Sequence, residues 1–266
     1  MSTPIPTWQR SHFQPGGAPN AFQLFCFSAG PLAEGVPMSA ARFGLPSPEA
    51  MKLVEVRELT RELDSAWFDG FRSGSLRAIA TQALGDVSAL DLATQLTAVM
   101  ISREDAPELT HLQAGWAVAQ WLVARGASVV LDAQTNRFWK GADIADWPAH
   151  RPFALSTDVN IVVEAEPTSL TATIHTRGLQ KFGRADLVVR EVAAEQWDAV
   201  AGLVRALSLQ LADGIVLRAG DRVNIDGKSL TLSAFKPTPE TDLHLNNQAF
   251  LISLPLPEGE RAVTPA

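Results

Sequence analysis

The segment from Thr94 to Asp132 constrains the fold most strongly, because it reads in turn as a strand, a helix and a strand. Thr94 to Ser102 has the composition of a strand, and Ala127 to Asp132 is a short apolar run that follows Gly126. Between them, apolar residues recur at intervals of three and four, which predicts a helix. Its most apolar window, Ala114 to Ala124, is too short to span a membrane and predicts a buried helix. The segment is therefore predicted to be a β-α-β unit.

The start of that helix is predicted from a capping box. Asp105 is placed to accept from the amide of Glu108, whose side chain reaches back, and Pro107 suits a first helical turn. His111 lies just inside this helix, where we expect it to face solvent or to make a satisfied polar contact. An earlier helix is predicted from Ser47-Pro48 to Trp67, on the spacing of its apolar residues.

The second half of the chain repeats this alternation of strands and a long helix. Asp226-Gly227 predicts a two-residue hairpin turn, because this pair tolerates the positive φ angles that such a turn requires. The other predicted elements are an aromatic-rich strand at 21–28, strands at 159–164, 171–176, 187–190 and 250–254, and a helix from Trp197 to Leu211.

These elements predict an α+β fold made of two similar α/β halves, with mixed or antiparallel sheets that are each covered by one long helix. We expect an N-terminal arm at residues 1–20, where proline and glycine are frequent, a first half at 21–150, a second half at 151–254 and a C-terminal tail at 255–266.

Composition excludes several classes of function. Lys and Arg number 22 against 29 Asp and Glu, and the resulting net charge of −7 argues against a nucleic-acid partner. The N-terminal residues do not resemble a secretory signal, so we expect a cytoplasmic protein without a membrane span. Cys26 is the only cysteine, which excludes an intramolecular disulfide, and its apolar strand favours core packing over a reactive thiolate.

The richest candidate site is the stretch from His175 to Asp186. It places a histidine at a strand end, then Arg177, Lys181 and Arg184 among two glycines, and then a carboxylate. Glycines expose backbone amides, and the three cations could hold a carboxylate or phosphate, with His175 as the catalytic acid or base. The alternative is a structural connection whose arginines pair with Asp186 or with a nearby glutamate.

A second candidate is the polar set Asp242, His244 and Asn246. In a strand these three side chains lie on one face and could converge on a ligand, whereas in a turn they satisfy their own backbone. The five histidines show no pair at helical spacing, and no nucleotide-binding loop or nucleophile elbow occurs. The sequence thus predicts neither a metal site nor a cofactor.

Three segments resemble uncharacterised bacterial α/β proteins grouped as domains of unknown function, nearest the 4261 type. They are residues 112–117 (LQAGWA), 130–133 (VLDA) and 175–179 (HTRGL). The resemblance implies an α+β fold of a bacterial cytosolic kind, and such families often include immunity or accessory proteins of competition and secretion systems.

The leading hypothesis is a non-catalytic protein-interaction module of an immunity-like, accessory or regulatory kind, with a protein as its partner. It is motivated by the acidic balance and by the lack of a complete catalytic constellation. The competing hypothesis is an enzyme or an anion-binding protein centred on His175, Arg177, Lys181 and Arg184. The sequence leaves the oligomeric state open.

Overall fold

The computed structural model describes residues 4–165, 169–225, 227–236 and 245–254, which form an α+β fold with two β-sheets. The predicted tail at 255–266 lies outside the described residues. The strands are β1 (Asn20–Ser28), β2 (Glu55–Thr60), β3 (Gln95–Arg103), β4 (Val129–Asp132), β5 (Arg137–Lys140), β6 (Asn160–Glu164), β7 (Thr171–Arg177), β8 (Asp186–Ala193), β9 (Arg222–Ile225), β10 (Lys228–Ala234) and β11 (Ala249–Ser253).

Eight α-helices occur in the described residues, and only two of them, α5 and α8, exceed four turns. They are α1 (Ala40–Phe43), α2 (Ser65–Arg72), α3 (Gly74–Leu84), α4 (Ser88–Asp91), α5 (Thr110–Ala124), α6 (Gly141–Ala145), α7 (Leu155–Asp158) and α8 (Trp197–Ala212). Short 3₁₀ helices span Pro48–Leu53, Leu179–Phe182 and Ala194–Gln196. No helix in the described part of the chain is long and apolar enough to cross a membrane.

Each half contributes one sheet with one long helix packed on it. The first sheet is antiparallel with the order β2-β3-β1-β4-β5, and α5 packs on β1 and β3. The second sheet is mixed, with the order β6-β7-β8-β11-β10-β9 and one parallel pair, β8 with β11, and α8 packs on β6, β7 and β8. The halves share this layered arrangement, although their strand orders differ.

The predicted β-α-β unit is confirmed, with one strand inserted into it. β3 and β4 both run antiparallel to β1 and are therefore parallel to each other, with α5 as the connection between them. β1 lies between them and pairs with both. The buried character of α5 follows from this position, because one core continues from beneath α5 to beneath α8. A second cluster, formed with α2, α3 and α4, covers the opposite face of the first sheet.

Two local predictions are wrong. The helix predicted from Ser47 to Trp67 is instead a 3₁₀ helix, the edge strand β2 and the start of α2. The apolar spacing there does not mark a buried stripe, since Leu63 is 83% exposed and Trp67 is 50% exposed. Pairing with β3 therefore decides the conformation of β2. The capping box is also not formed, because α5 begins at Thr110 after Leu109 and Asp105 is engaged elsewhere.

The other predicted elements are confirmed. β9 and β10 pair as the hairpin predicted around Gly227, although Asp226 lies outside the described residues. Cys26 is buried in β1, and burial raises the pKa of its thiol to about 12, so this thiol stays protonated.

The N-terminal arm, described from residue 4, is ordered against both halves. Trp8 accepts from Leu109 at 2.9 Å through its carbonyl, and Arg10 donates its amide to Pro107 at 2.9 Å. Further along, the amide of Ala18 donates to the carbonyl of Gly183 at 3.0 Å. The arm therefore packs across the junction of the two halves.

Two helical glycines provide a matched test of this packing. A Cβ on Gly115 of α5 would overlap the buried ring of Phe22, whereas a Cβ on Gly202 of α8 would meet open space. We expect Gly115→Ala to lower the free energy of unfolding by about 1–3 kcal/mol through overpacking. Gly202→Ala should raise it by up to about 1 kcal/mol, because alanine favours the helix. Urea unfolding measures both, and equal effects of the two substitutions would contradict the close approach of α5 to β1.

Candidate functional site

The predicted site loop between β7 and β8 is tightly built. A 3₁₀ helix, Leu179–Phe182, is flanked by Gly178 and Gly183, which have φ angles of 109° and 64°. These left-handed conformations favour glycine. A Cβ at Gly183 would also overlap the carbonyl of Ala18 in the arm. The glycines therefore let the loop press against the arm and do not line an open cradle for an anion.

Lys181 lies inside the molecule. Its side chain has no exposed surface and forms ion pairs with Asp132 at the end of β4 and with Asp158 at the end of α7, the latter at 3.2 Å. The Trp116 indole donates to the same oxygen of Asp158 at 2.9 Å. The predicted ligand cation is therefore engaged by two carboxylates that lie far from it in the sequence.

Arg184 is the centre of a second buried network. Its guanidinium donates to the Asp105 carboxylate at 2.8 Å, to the Ile215 carbonyl at 2.8 Å and to the Gly214 carbonyl at 2.8 Å. Arg10 of the arm binds the other oxygen of Asp105 at 2.6 Å. One carboxylate thus pairs with two arginines, which joins the arm to both halves. Asp105, assigned to a helix cap from the sequence, has this role instead.

Asp186 is also buried and fully occupied by internal donors. It accepts from the Thr176 hydroxyl at 2.7 Å, from Asn247 at 2.9 Å and from the Leu179 amide at 3.3 Å. Burial nevertheless raises the pKa of this carboxyl to about 6, because desolvation outweighs those three hydrogen bonds. The structural alternative predicted that the loop arginines pair with Asp186. The main contacts of this carboxylate are instead with Thr176, Asn247 and the Leu179 amide.

His175 and Arg177 lie on β7 and are both buried. His175 Nε2 is 3.1 Å from a carboxylate oxygen of Glu164 on β6, and Nδ1 is 3.2 Å from the Thr176 carbonyl. The predicted acid or base thus lies beside a carboxylate of the neighbouring strand, a contact that neither interpretation of this stretch had assigned to the histidine.

The second predicted set is described in part. Asn246 donates to the carbonyls of Ala133 and Gln134 at 3.2 and 3.3 Å, next to the end of β4. Asp242 and His244 lie outside the described residues. In the part of the chain that is described, no group of three or more His, Cys, Asp or Glu side chains is arranged to hold a metal ion.

Sequence reasoning did not place Asp105, Asp132, Asp158 or His111 in these networks. Asp132 ends an apolar strand and His111 opens an apolar helix, so each is a polar residue at the edge of an apolar run. His111 is completely buried, and its Nε2 donates to the Lys181 carbonyl at 2.7 Å. Of the two environments predicted for His111, solvent or a polar contact, the structure shows the polar contact.

Two depressions at the surface lie elsewhere. One of about 520 Å³ separates α7 and the start of β6 from α8, and its walls include Arg137, Ile161, Arg205 and Leu209. A second of about 500 Å³ begins on the far side of Leu209 and reaches His12 and Asp213. Neither is lined by the cations of the loop between β7 and β8.

Comparisons with protein-family models, with curated proteins and with solved structures give no match. The resemblance to the 4261-type domains of unknown function stays a prediction.

Replacing Arg184 distinguishes a structural from a ligand-binding role for the cationic loop. Arg184→Met leaves several carbonyls without a donor and weakens the compensation of Asp105, so we expect the free energy of unfolding to fall by about 3 kcal/mol or more. Arg190→Met, at an exposed position of the otherwise mostly buried β8, is the control and should change it by less than about 0.5 kcal/mol. Equal stabilities of the two variants in urea would favour the ligand-binding role.

His111 should make the fold sensitive to acid. Burial lowers the pKa of its ring to about 3, from the ordinary value of 6.5 for a histidine. Between these values the unfolded chain binds a proton that the folded chain does not, so this contribution to stability is lost as the pH falls below 6.5. His111→Gln keeps a donor for the Lys181 carbonyl and does not titrate.

From pH 7 to pH 5, the free energy of unfolding should therefore fall by about 2 kcal/mol more in the parent protein than in His111→Gln. Urea titrations at the two pH values give this difference directly. Parallel pH profiles would contradict the burial of a neutral ring.

Proposed function

We propose that this chain is a cytosolic, non-catalytic protein-interaction module of an immunity-like, accessory or regulatory kind, and that it binds an extended, acidic segment of its partner between β6 and α8. The observation that carries the proposal is the groove between these elements. The cations that an enzyme or an anion-binding protein would use in the β7–β8 loop are buried and engaged in internal contacts, so they support the competing hypothesis less well.

The groove presents apolar side chains to solvent. Leu209 of α8 is 52% exposed and Ile161 of β6 is half-buried, and both line the groove. Val163, which is 41% exposed, lies on the same face of β6 as Ile161 because side chains alternate along a strand. Ala206 and Gly202 lie about one and two turns before Leu209 on α8 and also line the groove, where their small size leaves room for a partner's side chains. Apolar surface of this kind is typical of an interaction site.

The position of β6 favours an extended partner. β6 is the outermost strand of the second sheet in the described residues, so one edge of its backbone is not paired with another strand there. An extended peptide can add to such an edge, and alternate side chains of the peptide then enter a neighbouring groove. A helix beside an edge strand provides both parts of this mode of binding.

Charge supports an acidic segment as the occupant. Arg205 is exposed on α8, and Arg137 lies on the opposite wall, where it donates to Asn160 at 3.0 Å. Two arginines beside an apolar groove complement a segment that carries aspartate or glutamate between apolar residues. This local positive charge contrasts with the net charge of −7.

Selection from random-sequence peptides displayed on phage tests the proposal. We expect enriched peptides to alternate apolar residues with at least one acidic residue. Arg205→Glu should weaken their binding by about tenfold or more through charge repulsion, and Ala206→Trp should abolish it by filling the groove. Fluorescence anisotropy with a synthetic copy of an enriched peptide measures both effects.

Leu63→Glu is the control, because Leu63 is an 83% exposed leucine on the first half that does not line the groove, and the substitution should leave binding unchanged. The proposal fails when no peptide is enriched, or when enriched peptides bind Arg205→Glu and Ala206→Trp as tightly as the parent protein.

A further inference from the structure

Lys181, Asp132 and Asp158 form a closed group of three ionisable side chains at the junction of the two halves. All three side chains have no exposed surface. Lys181 Nζ is in direct contact with one oxygen of Asp132 and lies 3.2 Å from one oxygen of Asp158. A lysine nitrogen is thus held against a carboxyl group, with a second carboxyl group within reach of the same nitrogen.

The surroundings of this group are apolar and aromatic. The Phe22 ring centroid is 4.6 Å from Lys181 Nζ, and the Trp116 ring centroid is 5.8 Å from it. Burial raises the pKa of Asp132, which opposes its ionised form. Transfer of one proton from the lysine to Asp132 gives a neutral amine next to a neutral carboxylic acid, and these are the two partners of an amide condensation.

The two oxygens of Asp132 have different environments. Oδ2 faces Lys181, whereas Oδ1 accepts from the backbone amides of Gln134 at 3.1 Å and of Thr135 at 3.4 Å. Two backbone amides on one oxygen are the donors that stabilise the negative oxygen of a tetrahedral intermediate.

Asp158 has the contacts of a proton carrier. Its Oδ1 lies near Lys181 Nζ and accepts from the Trp116 indole at 2.9 Å, which fixes its orientation. Its Oδ2 is buried and has no hydrogen-bond partner among the described residues. No hydrogen-bond donor among the described residues competes for this oxygen, so it is the position that would receive a proton passed during the reaction.

We propose that Lys181 and Asp132 condense into an intramolecular isopeptide bond, with Asp158 as the catalytic proton carrier. The neutral amine of Lys181 attacks Cγ of Asp132, and the negative charge of the tetrahedral intermediate forms on Oδ1. Asp158 takes a proton from the nitrogen and gives it to Oδ2. The bond between Cγ and Oδ2 then breaks, one water molecule leaves, and the amide between Nζ and Cγ remains.

The reaction needs no oxidant, metal or other reactant. The ammonium and the carboxylate together lose one oxygen and two hydrogens as water, and Asp158 ends in its starting state. The product joins β4 of the first sheet to the β7–β8 loop of the second, across a separation of 49 residues. The two halves would then be linked covalently at their junction, independently of any partner.

Mass spectrometry of the full-length protein tests the proposal. We expect an intact mass lower than the sequence mass by one water molecule, after correction for N-terminal processing. A tryptic digest should contain a branched peptide in which residues 126–137 are joined to residues 178–184, with no cleavage after Lys181. An intact mass equal to the sequence mass, with separate peptides from the two regions, would overturn the proposal.

Three variants identify the roles of the residues. Lys181→Met should have the full mass expected from its sequence. Asp158→Asn retains the shape of the side chain, but an amide cannot take a proton from the lysine and pass it to Asp132. We therefore expect this variant to fold and to remain unlinked. Asp186→Asn is the control, because Asp186 is a buried carboxylate that contacts no lysine, and it should still lose one water. A linked Asp158→Asn protein would remove Asp158 from the mechanism and overturn its assigned role.

Discussion

The association of the two halves, which must precede any bond between Lys181 and Asp132, depends on the burial of the Lys181 ammonium group. Removing a charge from water costs several kcal/mol, and only close counter-charges with good geometry offset this penalty. Asp132 arrives from the first sheet and Asp158 from α7, while Lys181 belongs to the loop of the second sheet. The charge is therefore compensated only when the halves meet in one arrangement. A shifted arrangement would leave an unpaired charge in the core, which makes this contact a source of specificity as well as of stability.

The arm extends the same principle to the outer part of the junction. Asp105 binds Arg10 from the arm and Arg184 from the β7–β8 loop, and each of these arginines also donates to backbone carbonyls. Without these arginines, several carbonyls at the ends of loops would lose their donors in a poorly hydrated region. The cationic stretch of the sequence is thus distributed between two interior networks, and its density reflects the number of chain segments that converge there.

Sequence patterns predicted the elements well where burial is continuous along the chain. The strand, helix and strand from Thr94 to Asp132 and the long helix from Trp197 were found because their apolar periodicity reflects packing on one sheet. The helix predicted from Ser47 failed because the conformation of β2 is decided by its partner β3, and such pairing leaves little trace in local spacing.

The site could be predicted only in part, for a different reason. The sequence identified Lys181 and Arg184 as unusual, but their counter-charges are 49, 23 and 79 residues away, at Asp132, Asp158 and Asp105. A cationic loop on the surface and one in the interior have the same local sequence. Only the tertiary arrangement distinguishes them, so the choice between a ligand site and a structural connection could not be made from residue spacing.

The interior networks also bear on the proposed partner groove. Asp158, bound by Lys181 and by the Trp116 indole, is the last residue of α7, and α7 forms one wall of the groove through Leu155. The opposite wall is α8, which packs on the same core. Because both walls are anchored to buried structure, the groove keeps its shape without a partner. A preformed groove loses little conformational entropy on binding, so affinity there depends mainly on how well the segment complements the apolar floor and the two arginines.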